Sequence, residues 1–262
     1  MTYGGVPDAA ALIESLGVAR STWRVVVACN KPGDADEATS RLDDLLDDGL
    51  VTIADYPDNP GYLPAAARAV EQFGLRGGPV VISNADLVAG PKCLAEITVA
   101  AEHYPTAMWI APSIIGALRR DQNPMLRRRP SAKRLRLLAA LHRFPRAADL
   151  AVLRRNGHGA TLPKPGRAGE SVWAGHGSCI VLTALFFSAG GALTYPFKLF
   201  GEELWLGAEV ERLGGEVRYV PEIRLRHGEH ATTGSHRRRG EIARVKYEGL
   251  RYWARRARAE GW

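Results

Sequence analysis

The sequence predicts an α/β fold, a mostly parallel sheet with helices on both faces. Three observations carry this expectation. Short apolar runs rich in β-branched residues, as at 23–30 (WRVVVACN) and 79–83 (PVVIS), are bounded by turn chemistry and read as buried strands. Stretches with helical spacing of apolar residues separate them at short intervals. At 262 residues and 46% hydrophobic, the chain is long enough to bury one large core.

In order, Pro7-Asp8 supplies a proline and a capping acid for a short helix with Leu12, Ile13 and Leu16 inside and Gly17 as its stop. The strand at 23–30 follows, then a helix at 37–48, a strand at 51–54, and a helix at 64–73 with Pro64 in its first turn. A strand at 79–83, a helix at 91–104 and a strand at 107–111 complete the alternation. Between 112 and 173 the alternation stops, and a basic loop is followed by helices expected at 132–142 and 147–155. The stretch 175–230 opens on a GHGS turn and a strand at 179–182. After Gly190-Gly191, the adjacent carboxylates Glu202 and Glu203 begin a helix whose apolar positions are Leu206, Val210 and Leu213. Glu203 precedes Leu206 and Val210 by three and seven residues, which turns it toward the packed side, whereas Glu202 falls with Trp205 and Glu209 and is expected to face out. Gly214-Gly215 ends that helix, 216–220 reads as a strand, and 221–226 carries the chain to His227 and His230.

Charge is unevenly spread. The chain is +7 overall, yet residues 117–167 hold 14 Lys/Arg against 2 Asp/Glu, leaving −5 for the remainder. A second basic cluster, nine Arg/Lys and three Glu, lies at 235–262. Such segments attract phosphate, whether in nucleic acid, anionic lipid or a sugar diphosphate. No run of about 20 apolar residues and no charged-then-apolar leader is present, so a cytoplasmic protein is expected. Cys29, Cys93 and Cys179 are far apart and odd in number, which suits reduced thiols and fits no zinc spacing.

Ligands on such sheets bind at the carboxyl ends of strands. Three polar clusters fall there: Asn30 with Asp34 and Asp36, then Asp58-Asn59-Pro60-Gly61-Tyr62, then Asn84-Ala85-Asp86. Taken singly, each feature has a plainer account. Asp86 suits a turn, the glutamate pair complements a helix dipole, a histidine ending a strand is usually structural, Arg127-Arg128-Arg129 suits a solvated face, and GHGS suits a tight turn.

The ordered set of these parts resembles the catalytic domain of the family 2 glycosyltransferases, inverting enzymes of the GT-A fold, and most closely their rhamnosyltransferase-like, polysaccharide-building members. The resemblance runs to about Thr233, so a GT-A domain is expected over 1–233, with a basic insertion at about 117–167 and a basic helix over 234–262. It implies a nucleotide-diphosphate sugar as donor, a glycan or lipid-linked acceptor, and a divalent metal, Mg²⁺ or Mn²⁺, held by Asp86 and His227. It further implies an acidic pair, Glu202 and Glu203, with Glu203 as general base; the second acid is usually Asp in that family. Tyr3, Gly4, Asn30, Asn59, Gly61, Asn84 and Asp86 fall to the donor side, with Cys29 where relatives often place a nucleotide-contacting Asp. His176, Gly177, Ser178, Arg127 and Arg128 fall to the acceptor side, and the basic insertion is expected as a lid there. Family members begin with an apolar strand before a Thr-Tyr-Asn-like turn. Met1-Thr2-Tyr3-Gly4-Gly5 looks like the end of that turn with the strand itself absent, so Met1 is not expected to be the natural start.

Two other classes stay open on sequence. A degenerate transferase fold acting as a nucleotide-sugar binding or scaffold protein accommodates Cys29 and Glu203. A nucleic-acid-binding protein explains the basic segments but not an acidic strand-end cleft, so no nucleic acid is expected. For the C-terminal helix, Ile242, Val245, Gly249 and Trp253 share one side; this suits peripheral contact with a membrane and equally suits packing on the domain.

Overall fold

The computed structural model describes residues 1–18, 21–143, 166–228 and 236–262, with side chains of the last stretch from 242. The helix expected at 147–155, much of the basic insertion and His230 lie outside the described residues.

The first part alternates as expected: α1 (Val6–Leu16), β1 (Val25–Cys29), α2 (Asp34–Arg41), α3 (Asp43–Asp47), β2 (Val51–Asp55), α4 (Tyr62–Gln72), β3 (Val80–Ser83), β4 (Leu87–Ala89), α5 (Cys93–His103) and β5 (Ala107–Ile115). The second part comprises α6 (Ala132–His142), β6 (Ser171–Val172), β7 (Cys179–Leu182), α7 (Ala184–Ser188), α8 (Glu202–Arg212), β8 (Glu216–His227) and α9 (His236–Ala259). The single helix expected at 37–48 is two, because Leu42 leaves helical geometry at φ −117° and ψ 19° between α2 and α3. The strand expected at 216–220 runs on through Pro221 to His227. Pro221 brings no N–H to the ladder, and the β5/β8 register jumps from Pro112/Val220 to Ser113/Arg224 across this irregularity.

The sheet is mixed rather than mostly parallel. β1/β2 and β5/β8 are parallel, whereas β3/β7, β5/β7, β4/β8 and β6/β8 are antiparallel. The spatial order β3-β7-β5-β8-β4 gives the reason: β7 and the end of β8 come late in the chain and return between strands laid down earlier. β1 and β2 form a ladder of their own. Where the opening residues were read as the end of a strand's turn, Thr2 N donates to Ala28 O and Asn30 N donates to Thr2 O, both at 3.0 Å, while the Met1 amine reaches Ser83 O at 3.0 Å. Met1 and Thr2 thus link the carboxyl end of β1 to that of β3.

The central strands β5 and β7 are buried almost throughout, and their successive side chains face two different cores. Trp109 and Ala111 of β5 and Ile180 and Leu182 of β7 face one core, shared with Leu63 of α4, Leu135 of α6, Leu206 and Val210 of α8, and Trp253 of α9. Ile110 and Ile114 of β5 and Val181 of β7 face the other, under Leu12 of α1 and Cys93 and Ile97 of α5. α9 therefore spends its apolar side on the domain: Trp253 and Ala257 are fully buried.

Candidate functional site

The antiparallel register of β4 with β8 pairs Leu87 with His227, and Gly228 N donates to Asp86 O at 2.8 Å. This pairing brings together two residues 141 positions apart: His227 Nε2 lies 3.4 Å from Asp86 Oδ1. His227 Nδ1 is 3.0 Å from Gln122 Oε1, a contact that fixes the orientation of the ring. An imidazole whose far nitrogen is held by a hydrogen bond is the usual form of a histidine ligand. The donor set, one carboxylate and one imidazole, fits a divalent ion that takes its other oxygens from water and phosphate. Among the described residues no third His, Cys, Asp or Glu joins it.

The turn before β7 lies next to this pair. The rings of His176 and His227 meet edge to face with centroids 5.9 Å apart. His176 Nδ1 accepts the Ser178 backbone N–H at 3.1 Å and lies 2.9 Å from Ser178 Oγ. Gly177 N donates to Glu203 Oε1 at 3.1 Å. Glycine at 177 is explained by that approach rather than by turn geometry, because its φ is not positive and a Cβ there would stand 2.8 Å from Oε1.

The two glutamates correct the helical phase expected from sequence. Glu202 is the buried one, 6% exposed, and Glu203 is only partly buried. The side of α8 that carries Glu202, Trp205 and Glu209 is covered by α9 and by the segment before α8. Trp205 packs on Trp253 with centroids 6.4 Å apart, and Glu209 accepts Ala192 N at 3.0 Å. Glu202 folds back to accept Phe200 N at 2.9 Å. Burial, with the neighbouring Glu203 charge second, pushes its carboxyl up to about 8, so it is mostly protonated at neutral pH. Glu203 is left partly exposed beside Gly177.

The residues expected on the donor side lie at or just beyond strand ends. Gly4, at φ +72°, donates its N–H to Asp34 Oδ2 at 2.6 Å, and Tyr3 is 45% exposed beside it. Asn30 is buried, and its Oδ1 finds no hydrogen-bond partner among the described residues. Asn59 and Gly61 hold positive φ angles of 46° and 108°; at Gly61 a Cβ would sit 2.4 Å from Lys198 Cα, so glycine lets the turn touch the segment leading to α8. Asn84 N donates to Ser178 O at 2.8 Å. Arg127 ion-pairs with Glu170, and Leu126 beside it bridges Ala174, two residues before His176. Arg128 is exposed in the bend that follows Leu126. Arg129 of the same run ion-pairs with Glu211, about two helical turns after Glu203 on α8.

Sequence reasoning gave no site role to the groups that hold the turn in shape. Asn123 Oδ1 accepts His176 N at 2.7 Å and its Nδ2 donates to Pro112 O at 2.7 Å. Asp121 accepts Ile114 N at 3.0 Å and the Tyr219 hydroxyl at 2.6 Å. The Tyr62 hydroxyl donates to Gly177 O at 2.8 Å, tying the 59–62 turn to the GHGS turn. The signal available was the polar triplet Asp121-Gln122-Asn123 ahead of a proline.

No protein-family model matches the chain, and no curated protein does. Among solved structures it is similar to the crystal structure of GalNAc-T7 with UDP, GalNAc and Mn2+, with a TM-score of 0.54 and 15% sequence identity over 89% of this chain. The fold is GT-A. At that identity the likeness speaks to fold alone, and this chain spans 44% of the length of that one.

Proposed function

We propose that the protein is an inverting glycosyltransferase of the family 2 type, moving a sugar from a nucleotide-diphosphate donor to a glycan or lipid-linked acceptor in cell-surface polysaccharide synthesis. The observation that carries this reading is the convergence of Asp86, His227 and Glu203, from three distant parts of the chain, at the carboxyl ends of the strands of a GT-A fold. That GalNAc-T7 is solved with UDP, GalNAc and Mn2+ supports a nucleotide-sugar donor and a divalent cation. Asp86 and His227 would hold Mg²⁺ or Mn²⁺, which when bound supplies charge neutralisation for a leaving diphosphate. Tyr3, Gly4, Asn30, Asn59, Gly61 and Asn84 line the strand ends on the donor side. His176, Gly177 and Ser178 stand between the metal pair and Glu203, where an acceptor hydroxyl would approach. Glu203 takes that hydroxyl's proton as it attacks the anomeric carbon from the face opposite the leaving group, so one base suffices and no covalent intermediate is needed. A cytoplasmic setting is supported by three cysteines that are all free and buried. Among the described residues no helix is long and apolar enough to cross a membrane.

The test is release of nucleoside diphosphate from a panel of nucleotide sugars, with and without Mn²⁺, in the presence of glycan and lipid-linked acceptors. Turnover that needs neither cation nor acceptor would sink the reading. A binding experiment checks the metal pair separately. Thermal stabilisation by UDP, GDP or dTDP should depend on Mn²⁺ and vanish in Asp86→Ala. Gln122→Ala, which frees the His227 ring, should raise the Mn²⁺ requirement about 10–100-fold. Stabilisation by Mn²⁺ that persists in Asp86→Ala would place the cation elsewhere.

A further inference from the structure

The transferase reading leaves most of the chain's charge unused. Residues 132–143 and 242–262 hold ten Lys/Arg and two Glu, a net +8, where the whole chain carries +7. The structure brings these two segments together. α6 packs along α9, and Arg143 Nη1 donates to the Tyr247 hydroxyl at 3.4 Å. Ala132 and Leu135 of α6 enter the same core as Trp253, Ala254 and Ala257 of α9. Two helices laid side by side over one core turn their outer faces to the same side of the molecule.

On α6 that outer face centres on Leu137, 71% exposed, with exposed Lys133 and Arg134 one helical turn before it. On α9, Arg244, Arg251, Arg255 and Arg258 are all exposed, and their steps of seven, four and three place them on one stripe. Arg244 approaches Glu248 at 3.8 Å, the one carboxylate on that stripe among the described residues. The local field is visible at Tyr247: hydrogen bonds from Arg143 and then Arg251 hold its phenol below the usual value of 10.

We propose that the outer face of the α6–α9 layer docks on an anionic lipid bilayer. Basic side chains around an exposed leucine are what a bilayer interface with acidic headgroups rewards. Single-stranded nucleic acid fits less well, because base stacking needs outward aromatic rings. Of the α9 rings, Trp253 is buried, Tyr252 packs edge to face on Phe197 with centroids 5.3 Å apart, and Tyr247 is taken up by Arg143 and Arg251. Docking there also bears on the site. The Lys246 ammonium lies 4.7 Å from the Phe200 ring centroid, and a Cβ at Gly249 would stand 3.4 Å from Phe200 O, so α9 supports the residues that start α8 and carry Glu203. A surface held on lipid by α9 keeps that carboxylate near an acceptor anchored in the same bilayer.

Vesicle binding is measurable without turnover, so its outcome is independent of the transferase reading. The full chain is sedimented with vesicles of phosphatidylcholine alone and of phosphatidylcholine mixed with phosphatidylserine. It should pellet with the second, fail to pellet with the first, and be released as salt rises. Arg251→Gln/Arg255→Gln on α9 and Lys133→Gln/Arg134→Gln on α6 should each weaken binding about 30-fold. Arg76→Gln, a basic surface change outside the layer, should leave it unaltered. All are exposed positions, and circular dichroism with thermal melts shows whether each variant is folded. Equal behaviour on the two vesicle types overturns the proposal, as does wild-type binding by both double variants. Retention on duplex DNA without vesicle binding would assign the surface to nucleic acid instead.

Discussion

Glu203→Gln is expected to lower kcat for sugar transfer by about 10²–10⁴-fold while nucleotide binding stays near wild type. The substitution keeps the shape and keeps an oxygen to accept the Gly177 N–H, the bond that orients the side chain at 3.1 Å. It removes only the capacity to take a proton. Donor binding should survive because the strand-end residues Gly4, Asn59 and Gly61 owe their positions to Asp34, to the 59–62 turn and to the Lys198 segment, none of which rests on Glu203. Steady-state transfer assays beside nucleoside-diphosphate thermal shifts separate the two effects. Unchanged turnover would move the base elsewhere; joint loss of turnover and nucleotide binding would make Glu203 a structural carboxylate.

What the sequence disclosed, and what it hid, divides along physical lines. Short β-branched runs fix their own local structure, so the strands at 23–30, 79–83 and 179–182 were visible, and with them the strand-end positions of Asn30 and Asn84. Strand direction was not visible. Parallel and antiparallel strands bury the same residues when both faces are covered, and β7 reads identically whichever way it runs beside β3 and β5. The approach of Asp86 and His227 is a matter of register between β4 and β8, and β4 is only three residues long, too short to leave a periodic signal. Supporting groups such as Gln122 and Asn123 act through side-chain hydrogen bonds across sequence separations of 105 and 53, which no local pattern encodes. The error on α8 has the same origin. Helical phase told which residues share a side, but α9 covers the side that carries Glu202, and that covering is a tertiary event.

The reversed burial of the glutamate pair makes Glu202→Gln the second expected result: a more stable protein at pH 8, and no gain in acid. The isosteric amide mimics the protonated carboxyl and can still accept the Phe200 N–H. Well below the ordinary carboxyl value of 4.5, folded and unfolded wild type both hold the proton, so glutamate and glutamine are equivalent. As pH rises past 4.5 the unfolded chain releases its proton, whereas the folded protein keeps it until about 8, because burial and then the Glu203 charge disfavour ionisation. Through that window the folded state binds more protons than the unfolded one, and wild-type stability falls; above about 8 both are ionised and the loss is complete. Glutamine does not titrate and escapes it. Discounted for the coupling to Glu203, the difference at pH 8 should be on the order of 2–4 kcal/mol, or roughly 5–10 °C in Tm, shrinking toward zero near pH 4. Paired melts of the two proteins across that range check it. A constant offset at every pH would mean that Glu202 acts through packing alone, and a variant less stable at pH 8 would mean that the buried carboxylate is ionised and held by a cation.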